Sequence, residues 1–286
     1  MAEMATAAAA GAFTLGGKRQ VNRMGFGAMR ITGNGIWGPP DDKQAAMRVL
    51  RRAVELGVNL VDTADAYGPD VSEDLIAEAL HPYPADLVIA TKGGLLRDGP
   101  GRWRPDARPA HLREAIEGSL RRLRLEHIDL YQLHSPDDRV PFAESVGALK
   151  ELQAAGKISL IGLCNVSRTL LNEARQIVDV VTVQNRYNLT DRGSEKVLDA
   201  CAEASIGFMP WFPLATGNLA RPDSAVAAVA KKLRCTPSQV ALAWLLHRSP
   251  AMLPIPGTAS VPHLEENVAA AGVELTDEDY ASLDSL

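Results

Sequence analysis

Short runs rich in Val, Ile and Leu alternate along the chain with longer segments in which apolar residues recur at helical spacing. The runs are too short for helices, and most are apolar on both faces, which is typical of parallel strands covered on both sides. Seven such runs are Asn59–Asp62, Leu87–Lys92, Ile128–His134, Lys157–Leu163, Val180–Gln184, Ile206–Trp211 and Leu253–Pro256. Arg23–Gly27 predicts an eighth strand, although its two glycines disfavour strand formation.

The segments between these runs predict helices, because their apolar residues recur every three or four positions. The predicted helices are Gln44–Leu56, His111–Leu123, Phe142–Ala155, Ser194–Ala204, Ser224–Leu233 and Pro237–Arg248, and a further helix is expected to start near Val261. Thr236 and Gln239 have the spacing of a capping box with Pro237 at the first helical position. Thr276 begins a last short helix in the same way.

Strands that alternate with helices indicate βαβ units and a parallel sheet. Eight such units within 286 residues favour a closed (β/α)8 TIM barrel, with the helix after Thr276 as a C-terminal addition. An open doubly wound sheet is the runner-up. Phe13–Leu15 and Gln20–Val21, joined by Gly16-Gly17-Lys18, predict a short N-terminal hairpin before the barrel.

The chain has no charge block, linker or break in composition that would mark a domain boundary. Residues 1–11 are Ala-rich, and we predict a disordered start there. Residues 12–286 are predicted to form one barrel domain, and we expect a monomer because no extra interface element is evident.

Composition and charge exclude several classes of function. A net charge of -5 and a pI near 5.7 argue against a protein that binds nucleic acid by neutralising phosphates. No run approaches the roughly 18 apolar residues of a membrane span. The three cysteines, Cys164, Cys201 and Cys235, are odd in number and form no CxxC pair. We therefore expect no disulfide framework, no metal site and a reducing, cytoplasmic location.

Ionisable residues end three successive predicted strands, namely Asp62, Lys92 and His134. The active site of a (β/α)8 barrel lies at the carboxyl ends of its strands, and neighbouring strands are about 4.8 Å apart. These three side chains are therefore expected at one mouth. Tyr67 follows Asp62 by five residues and can lean over the same mouth.

This combination of side chains suits proton transfer to a carbonyl oxygen or from an alcohol. A nearby Lys92 ammonium is expected to lower the pKa of Tyr67, and Asp62 would pair with Lys92. A neutral His134 can share a hydrogen bond with a substrate oxygen. The set contains no obvious nucleophile and no carboxylate pair, which argues against a barrel hydrolase. A carbonyl that accepts a proton must also accept a hydride, which implies an external reductant.

A series of short motifs carries a family resemblance. They are Val61-Asp62-Thr63-Ala64-Asp65-Ala66-Tyr67-Gly68, Thr91-Lys92-Gly93, Leu130-Tyr131-Gln132-Leu133-His134, Gly162-Leu163-Cys164-Asn165, Val183-Gln184-Asn185, Pro213-Leu214, Ile255-Pro256-Gly257-Thr258 and Glu266-Asn267. In this order they resemble the aldo-keto reductase superfamily over about residues 20–280. The joint match is far more specific than any single motif.

The resemblance implies a TIM barrel that uses NADPH (NADP⁺ in the reverse direction) to reduce a small-molecule aldehyde or ketone. It makes Tyr67 the general acid, tuned by Lys92 and Asp62, with His134 orienting the carbonyl. The cofactor-binding residues it implies are Gly27, Ala28, Met29, Asp62, Asn165, Gln184, Trp211, Pro213, Leu214, Gly217, Gly257, Thr258, His263, Glu266 and Asn267. Among these, Asn165 and Gln184 would hold the nicotinamide carboxamide, and Trp211 would stack on the ring.

The chain departs from the family pattern at the cofactor site. Cys164 stands where the usual element has Ser, and a thiol is the weaker hydrogen-bond donor. Gly257 and His263 stand where many members place Lys and Arg around the 2′-phosphate. We therefore expect NADPH to be preferred over NADH by a smaller margin than in those members.

The chain also departs from the family pattern around the substrate pocket. The loop at 135–141 is short, so an open pocket and broad or bulky substrates are expected. Loops 30–42 and 93–109 follow barrel strands and carry Trp37 and Trp103, which we predict to be an apolar wall and part of a lid.

The first of these loops resembles a bacterial branch that includes pyridoxal reductase-like enzymes, so pyridoxal and other small or aromatic aldehydes are candidate substrates. The competing class of function is a nicotinamide-binding regulatory or sensor subunit with little turnover, as in the potassium-channel β-subunit relatives. Such subunits can keep all four catalytic residues, so these residues alone do not separate the two classes.

Overall fold

A computed structural model describes residues 5–214 and 224–285 of the chain, and parallel strands form its centre. The strands among these residues are β1 Ala12–Leu15, β2 Arg19–Asn22, β3 Phe26–Gly27, β4 Leu60–Asp62, β5 Val88–Gly93, β6 Leu95–Gly99, β7 Arg102–Pro105, β8 Ile128–Leu133, β9 Ile158–Cys164, β10 Val180–Gln184 and β11 Gly207–Phe208. The order β11-β10-β9-β8-β5-β4-β3 makes one curled parallel sheet of seven strands.

The eighth position of the barrel is filled by an extended segment rather than by a full strand. Leu253 N donates to Phe208 O (2.8 Å) on one side, and Gly25 N donates to Pro254 O (2.9 Å) on the other. Pro254 and Pro256 have no N–H to donate, so this segment cannot complete a regular ladder. The predicted (β/α)8 barrel is confirmed, and the open doubly wound sheet is wrong. The strand predicted at Arg23–Gly27 forms in shorter form as β3, whereas the strand predicted at Leu253–Pro256 is corrected to a bridging segment.

Helices cover the outside of this barrel. The described α-helices are α1 Lys43–Glu55, α2 Val71–Leu80, α3 Pro109–Leu123, α4 Phe142–Ala154, α5 Arg168–Ala174, α6 Glu195–Glu203, α7 Ala225–Leu233, α8 Pro237–Arg248, α9 Val261–Ala269 and α10 Asp277–Asp284. The predicted capping boxes at Thr236 and Thr276 both form. Helices α2 and α5 were not predicted, and α5 is only two turns long. Within the described ranges, no helix is long and apolar enough to cross a membrane.

The predicted hairpin forms as β1 and β2 and closes the bottom of the barrel. Leu15 and Val21 pack in one buried cluster with barrel residues such as Leu60 and Leu130. Residues 5–11, before the hairpin, differ from the predicted disordered start. Ala7–Ala10 form a 3-10 helix in which Ala7 is fully buried and its N–H donates to Leu56 O (2.9 Å). The small alanine side chains allow this close packing against the barrel.

Alternate strand residues face the barrel interior, and their character changes from bottom to top. Leu60 and Val88 belong to the apolar interior cluster near the hairpin. Two and four residues further along the same strands, Asp62 and Lys92 are also buried. The strands thus place an apolar layer below and a polar layer at their carboxyl ends.

Candidate active site

The carboxyl ends of the strands surround a cavity of about 630 Å³. Strand register places the polar residues at the base of this cavity next to one another, because Asp62 pairs with Ala90 and Lys92 pairs with Gln132 in neighbouring strands. Of the residues predicted for the site, those that line the cavity are Gly27, Met29, Asp62, Tyr67, Trp103, His134, Asn165, Gln184, Trp211, Pro213, Leu214 and Gly257. The cavity is of the size expected for a cofactor or substrate site.

Lys92 is completely buried below this cavity and uses all three of its donors. Its Nζ donates to Asp62 Oδ2 (2.7 Å), to Thr63 O (2.7 Å) and to the Tyr67 hydroxyl oxygen (3.1 Å). Burial alone would lower the pKa of Lys92, but the Asp62 carboxylate raises it above its usual value. Lys92 is therefore a charged donor to Tyr67 at neutral pH.

The net pKa of Tyr67 differs from the sequence expectation. Burial raises the pKa of Tyr67 to about 12, which outweighs the lowering by Lys92, and the Asp62 charge adds to the rise. The expected lowering is wrong in net direction because Asp62 opposes Lys92 and leaves the effect of burial dominant. A phenol with this pKa keeps its proton at physiological pH, as a general acid requires.

His134 lies beside Tyr67 with ring centroids 5.7 Å apart and ring planes nearly perpendicular. Burial, reinforced by the positive charge of Lys92, lowers the pKa of His134 well below its usual value of 6.5. The imidazole is therefore neutral at pH 7. Its Nδ1 is buried and has no hydrogen-bond partner among the residues described.

Two glutamines complete the environment of Asp62. Its Oδ1 accepts from Gln132 Nε2 (3.1 Å) and from Gln184 Nε2 (2.9 Å). Sequence reasoning predicted Gln184 for the cofactor but missed Gln132 as part of the site. The signal was available, because Gln132 lies two residues before His134 and so faces the same side of β8.

Asn165 is held by hydrogen bonds on both sides of its amide. Nδ2 donates to His134 O (3.0 Å), and Oδ1 accepts from Trp211 Nε1 (2.9 Å). Asn165 also has a left-handed backbone with φ of 57°. These contacts fix an amide that retains one N–H and one lone pair for a ligand.

Cys164 lies inside the barrel next to these amides. Its Sγ is 3.9 Å from Gln132 Oε1, the geometry of a weak hydrogen bond. Burial raises the pKa of this thiol, so it stays protonated. The side chain acts as a small buried donor to Gln132.

The predicted cofactor glycines create a close approach between two strand ends. A Cβ on Gly257 would meet Gly27 O at 2.5 Å, and a Cβ on Gly27 would meet Ile255 O at 2.6 Å, so neither position tolerates a side chain without a shift. Arg30 follows on the 3-10 helix Ala28–Ile31, and its Cγ would lie 3.6 Å from such a Cβ. Arg30 lines the cavity and is exposed, and it has no side-chain partner in the described part of the chain. Sequence reasoning did not single it out.

Other predicted cofactor residues do not line the cavity. Ala28 is fully buried, Thr258 Oγ1 accepts from Ser260 N (3.1 Å), and Glu266 Oε1 accepts from Thr236 Oγ1 (2.6 Å). His263 is exposed on α9, and Asn267 is buried on the same helix. Gly217 lies outside the described residues.

The two predicted tryptophans have different positions. Trp103 lines the cavity and contacts the rings of Tyr67 and His134 edge-on, at 6.3 Å in each case. Trp37 does not line the cavity, and its neighbour Ile36 does. The loop predicted around Trp103 is an antiparallel hairpin of β6 and β7. Leu95, at the start of β6, and Phe212 are further apolar lining residues that the sequence did not indicate.

The polar side chains at this cavity are proton donors and other hydrogen-bonding groups. No group of three or more His, Cys, Asp or Glu residues suited to a metal occurs within residues 5–214 and 224–285. The side chains present are a protonated phenol, an ammonium, a neutral imidazole and several amides. They can deliver a proton to an oxygen and can hold a planar amide.

The fold and this site define an aldo-keto reductase barrel, and comparison with known proteins supports that assignment. The sequence profile of the Aldo/keto reductase family matches residues 23–286. The chain belongs to the aldo/keto reductase family.

Individual proteins resemble this chain over most of its length. The chain is 51% identical over 268 residues to an uncharacterized oxidoreductase of Schizosaccharomyces pombe, a match covering 94% of this chain and 87% of that protein. It is 45% identical over 281 residues to pyridoxine 4-dehydrogenase of Escherichia coli, covering 96% and 97% of the two chains. A crystal structure of an aldo-keto reductase from Klebsiella pneumoniae in complex with NADPH has a TM-score of 0.82 and 29% identity, covering 96% of this chain and 94% of that one.

Proposed function

We propose that this protein is an NADP(H)-dependent oxidoreductase that reduces an aldehyde or ketone, with Tyr67 as the general acid. One observation carries the proposal: Lys92 joins Asp62 to the Tyr67 hydroxyl at the floor of the cavity. Family membership and the NADPH complex of the Klebsiella pneumoniae relative support the same cofactor here.

The donor pattern determines where the reactive proton lies. An ammonium has only donors, so the Tyr67 oxygen accepts from Lys92 and its own proton is not used in that bond. The proton can therefore be given to a carbonyl oxygen in the cavity, and Lys92 would stabilise the phenolate that remains. Neutral His134 would orient the carbonyl oxygen by a hydrogen bond. NADPH, when bound, supplies the hydride.

The residues present fit a nicotinamide cofactor. Asn165 and Gln184 would hold its carboxamide, because Asn165 is fixed from both sides and Gln184 has only its Nε2 committed to Asp62. Trp211 would stack on the ring. The bare backbone at Gly27 and Gly257 offers a cradle that side chains would fill.

Pyridoxal and other aromatic aldehydes are the proposed substrates. The relative from Escherichia coli is named for pyridoxine, and it shares 45% of aligned residues with this chain. Ile36, Leu95 and Trp103 give the cavity an apolar wall. A flat ring packs well against such a wall.

Steady-state NADPH oxidation with a panel of carbonyls tests this function. The panel includes pyridoxal, an aromatic aldehyde, a dicarbonyl and a small aliphatic aldehyde, with wild type beside Tyr67→Phe. This variant keeps the ring and removes only the transferable proton. We expect wild-type turnover that falls by about a thousandfold in the variant, at unchanged Kd for NADPH.

Other outcomes would overturn parts of the proposal. Tight NADPH binding without turnover by wild type would favour the regulatory or sensor function. Equal turnover by both proteins would remove Tyr67 from its role as the acid. Tyr83→Phe is a matched control, because the Tyr83 hydroxyl donates to Leu123 O (2.7 Å) away from the cavity.

A further inference from the structure

Arg97 ties together three chain segments at the edge of the cavity. Its guanidinium, which offers five donors in one plane, points at backbone carbonyls from each segment. Nη1 donates to Ile36 O (2.6 Å) and Ala66 O (3.2 Å), and Nη2 donates to Gly35 O (2.9 Å) and Gly99 O (3.4 Å). The three segments are the loop at 33–38, the segment directly before Tyr67, and the end of β6 in the β6–β7 hairpin.

The same guanidinium packs on two tryptophan rings. Its Cζ lies 3.8 Å from the Trp103 ring centroid and 5.7 Å from that of Trp37. Trp103 in turn contacts the rings of Tyr67 and His134 edge-on. A continuous set of contacts therefore runs from Arg97 through Trp103 to the catalytic pair.

Backbone bonds reinforce this connection on both sides of Tyr67. Ala66 O accepts from Arg97, and Gly68 O accepts from Gly38 N (2.5 Å). Gly101 N in the hairpin turn also donates to Gly35 O (3.3 Å). The loop at 33–38 and the hairpin are thus fixed to each other and to the residues flanking the general acid.

No carboxylate pairs with Arg97 in the described ranges, and its Nε is buried without a partner there. Burial lowers the pKa of this guanidinium, though an arginine stays charged at neutral pH. Carbonyl dipoles and ring faces alone hold it. A lysine ammonium could make either contact singly, but its donors sit on one nitrogen and it has no flat face, so it cannot reach these separate carbonyls while stacking on Trp103.

We propose that Arg97 is a positioning residue that sets substrate selectivity by fixing the Trp103 ring beside Tyr67 and His134. The inference rests on the proposed reductase function. The apolar wall of Ile36, Leu95 and Trp103 comes entirely from the segments that Arg97 joins. A large flat aldehyde uses this wall, whereas a small aliphatic aldehyde needs only the catalytic groups.

The first test compares two aldehydes in three variants. Arg97→Met removes the donors and the planar cation, Arg97→Lys keeps only the charge, and Arg104→Met is the control. Arg104 lies on the same hairpin and pairs with Asp98 at the surface (3.2 Å). We expect Arg97→Met and Arg97→Lys to raise KM for 4-nitrobenzaldehyde by about tenfold and KM for propanal by less than about threefold. Arg104→Met is expected to match wild type, and Kd for NADPH is expected to stay constant throughout.

A second readout does not depend on turnover. The difference in acrylamide quenching between wild type and Trp103→Phe reports the exposure of the Trp103 ring. The same difference, measured between Arg97→Met with and without Trp103→Phe, should be larger. Unchanged quenching would overturn the positioning role, as would equal losses of kcat/KM for both aldehydes. Absence of carbonyl turnover in wild type would instead overturn the proposed function, and the quenching result would still decide whether Arg97 positions Trp103.

Discussion

The cavity has a floor and a roof that are built differently. The floor consists of Asp62, Lys92, Gln132 and Gln184, which are buried on barrel strands and joined by hydrogen bonds of 2.7–3.1 Å. The roof is the apolar wall of Ile36, Leu95 and Trp103, which is carried by a loop and a hairpin and fixed by Arg97. The floor holds charges that burial makes costly to disturb, whereas the roof is partly exposed. We infer that the floor determines the reaction and the roof determines which carbonyl undergoes it.

Removing the floor cation is the strongest test of this difference. Lys92→Met should lower kcat by about a thousandfold, because nothing then stabilises the Tyr67 phenolate that forms when the proton leaves. It should also lower the free energy of unfolding by about 3–5 kcal/mol, because Asp62 remains as an uncompensated buried charge. Both are measured with the carbonyl panel and by urea denaturation.

A double variant separates chemistry from stability in that test. Lys92→Met with Asp62→Asn removes both charges and should recover much of the lost stability while kcat remains low. If the double variant recovered kcat, Lys92 would not be needed to stabilise the Tyr67 phenolate. The reaction would then depend on the floor no more than on the roof.

The two charged residues of the floor could be predicted because each ends a strand. Asp62, Lys92 and His134 end apolar runs, so the sequence alone places them at one mouth of a parallel barrel. Gln132 was equally encoded, two residues before His134, and was overlooked because an amide is less conspicuous than a charge. The net pKa of Tyr67 was not predictable from residue types, because burial outweighs the Lys92 charge and only the structure gives the burial.

The roof could not be predicted in the same way. Leu95–Gly99 and Arg102–Pro105 pair as strands, yet neither buries an alternate apolar face, so the hairpin has no periodic signal. Trp37 was expected to line the cavity, but Ile36 does so. Contacts between loops distant in sequence decide these positions. The extended segment at 253–256 was likewise predicted as a strand because the missing N–H groups of its prolines matter only once its neighbours are known.

A smaller effect is expected from the amide that supports the floor. Gln132→Leu removes one of two donors to Asp62 Oδ1 at similar volume, so Asp62 should shift and kcat should fall about tenfold. Kd for NADPH should change little. Gln153→Leu is the matched control, because Gln153 Nε2 donates to Ser159 O (2.8 Å) outside the cavity. Equal kcat values for Gln132→Leu and Gln153→Leu would mean that the Asp62 carboxylate does not depend on the Gln132 amide for its position.

The smallest expected effect concerns the one cation at the rim of the cavity that lacks a protein partner in the described chain. Arg30 lies over Gly257, where many relatives are expected to carry a cationic side chain, so we predict that its guanidinium contacts a phosphate of NADP(H). Arg30→Met should weaken NADPH binding about fivefold, measured as Kd by fluorescence titration, with kcat at saturating cofactor unchanged. A loss confined to NADPH would place Arg30 at the 2′-phosphate and would explain a remaining preference for NADPH over NADH, whereas an equal loss for NADH would place it at the pyrophosphate.

Lys18→Met makes the same change of charge at the opposite end of the barrel, in the turn between β1 and β2, and should leave the affinities for NADPH and NADH as they are. Unchanged affinity in Arg30→Met would mean that cofactor phosphates are bound without this cation, as backbone N–H groups near the start of α9 could do.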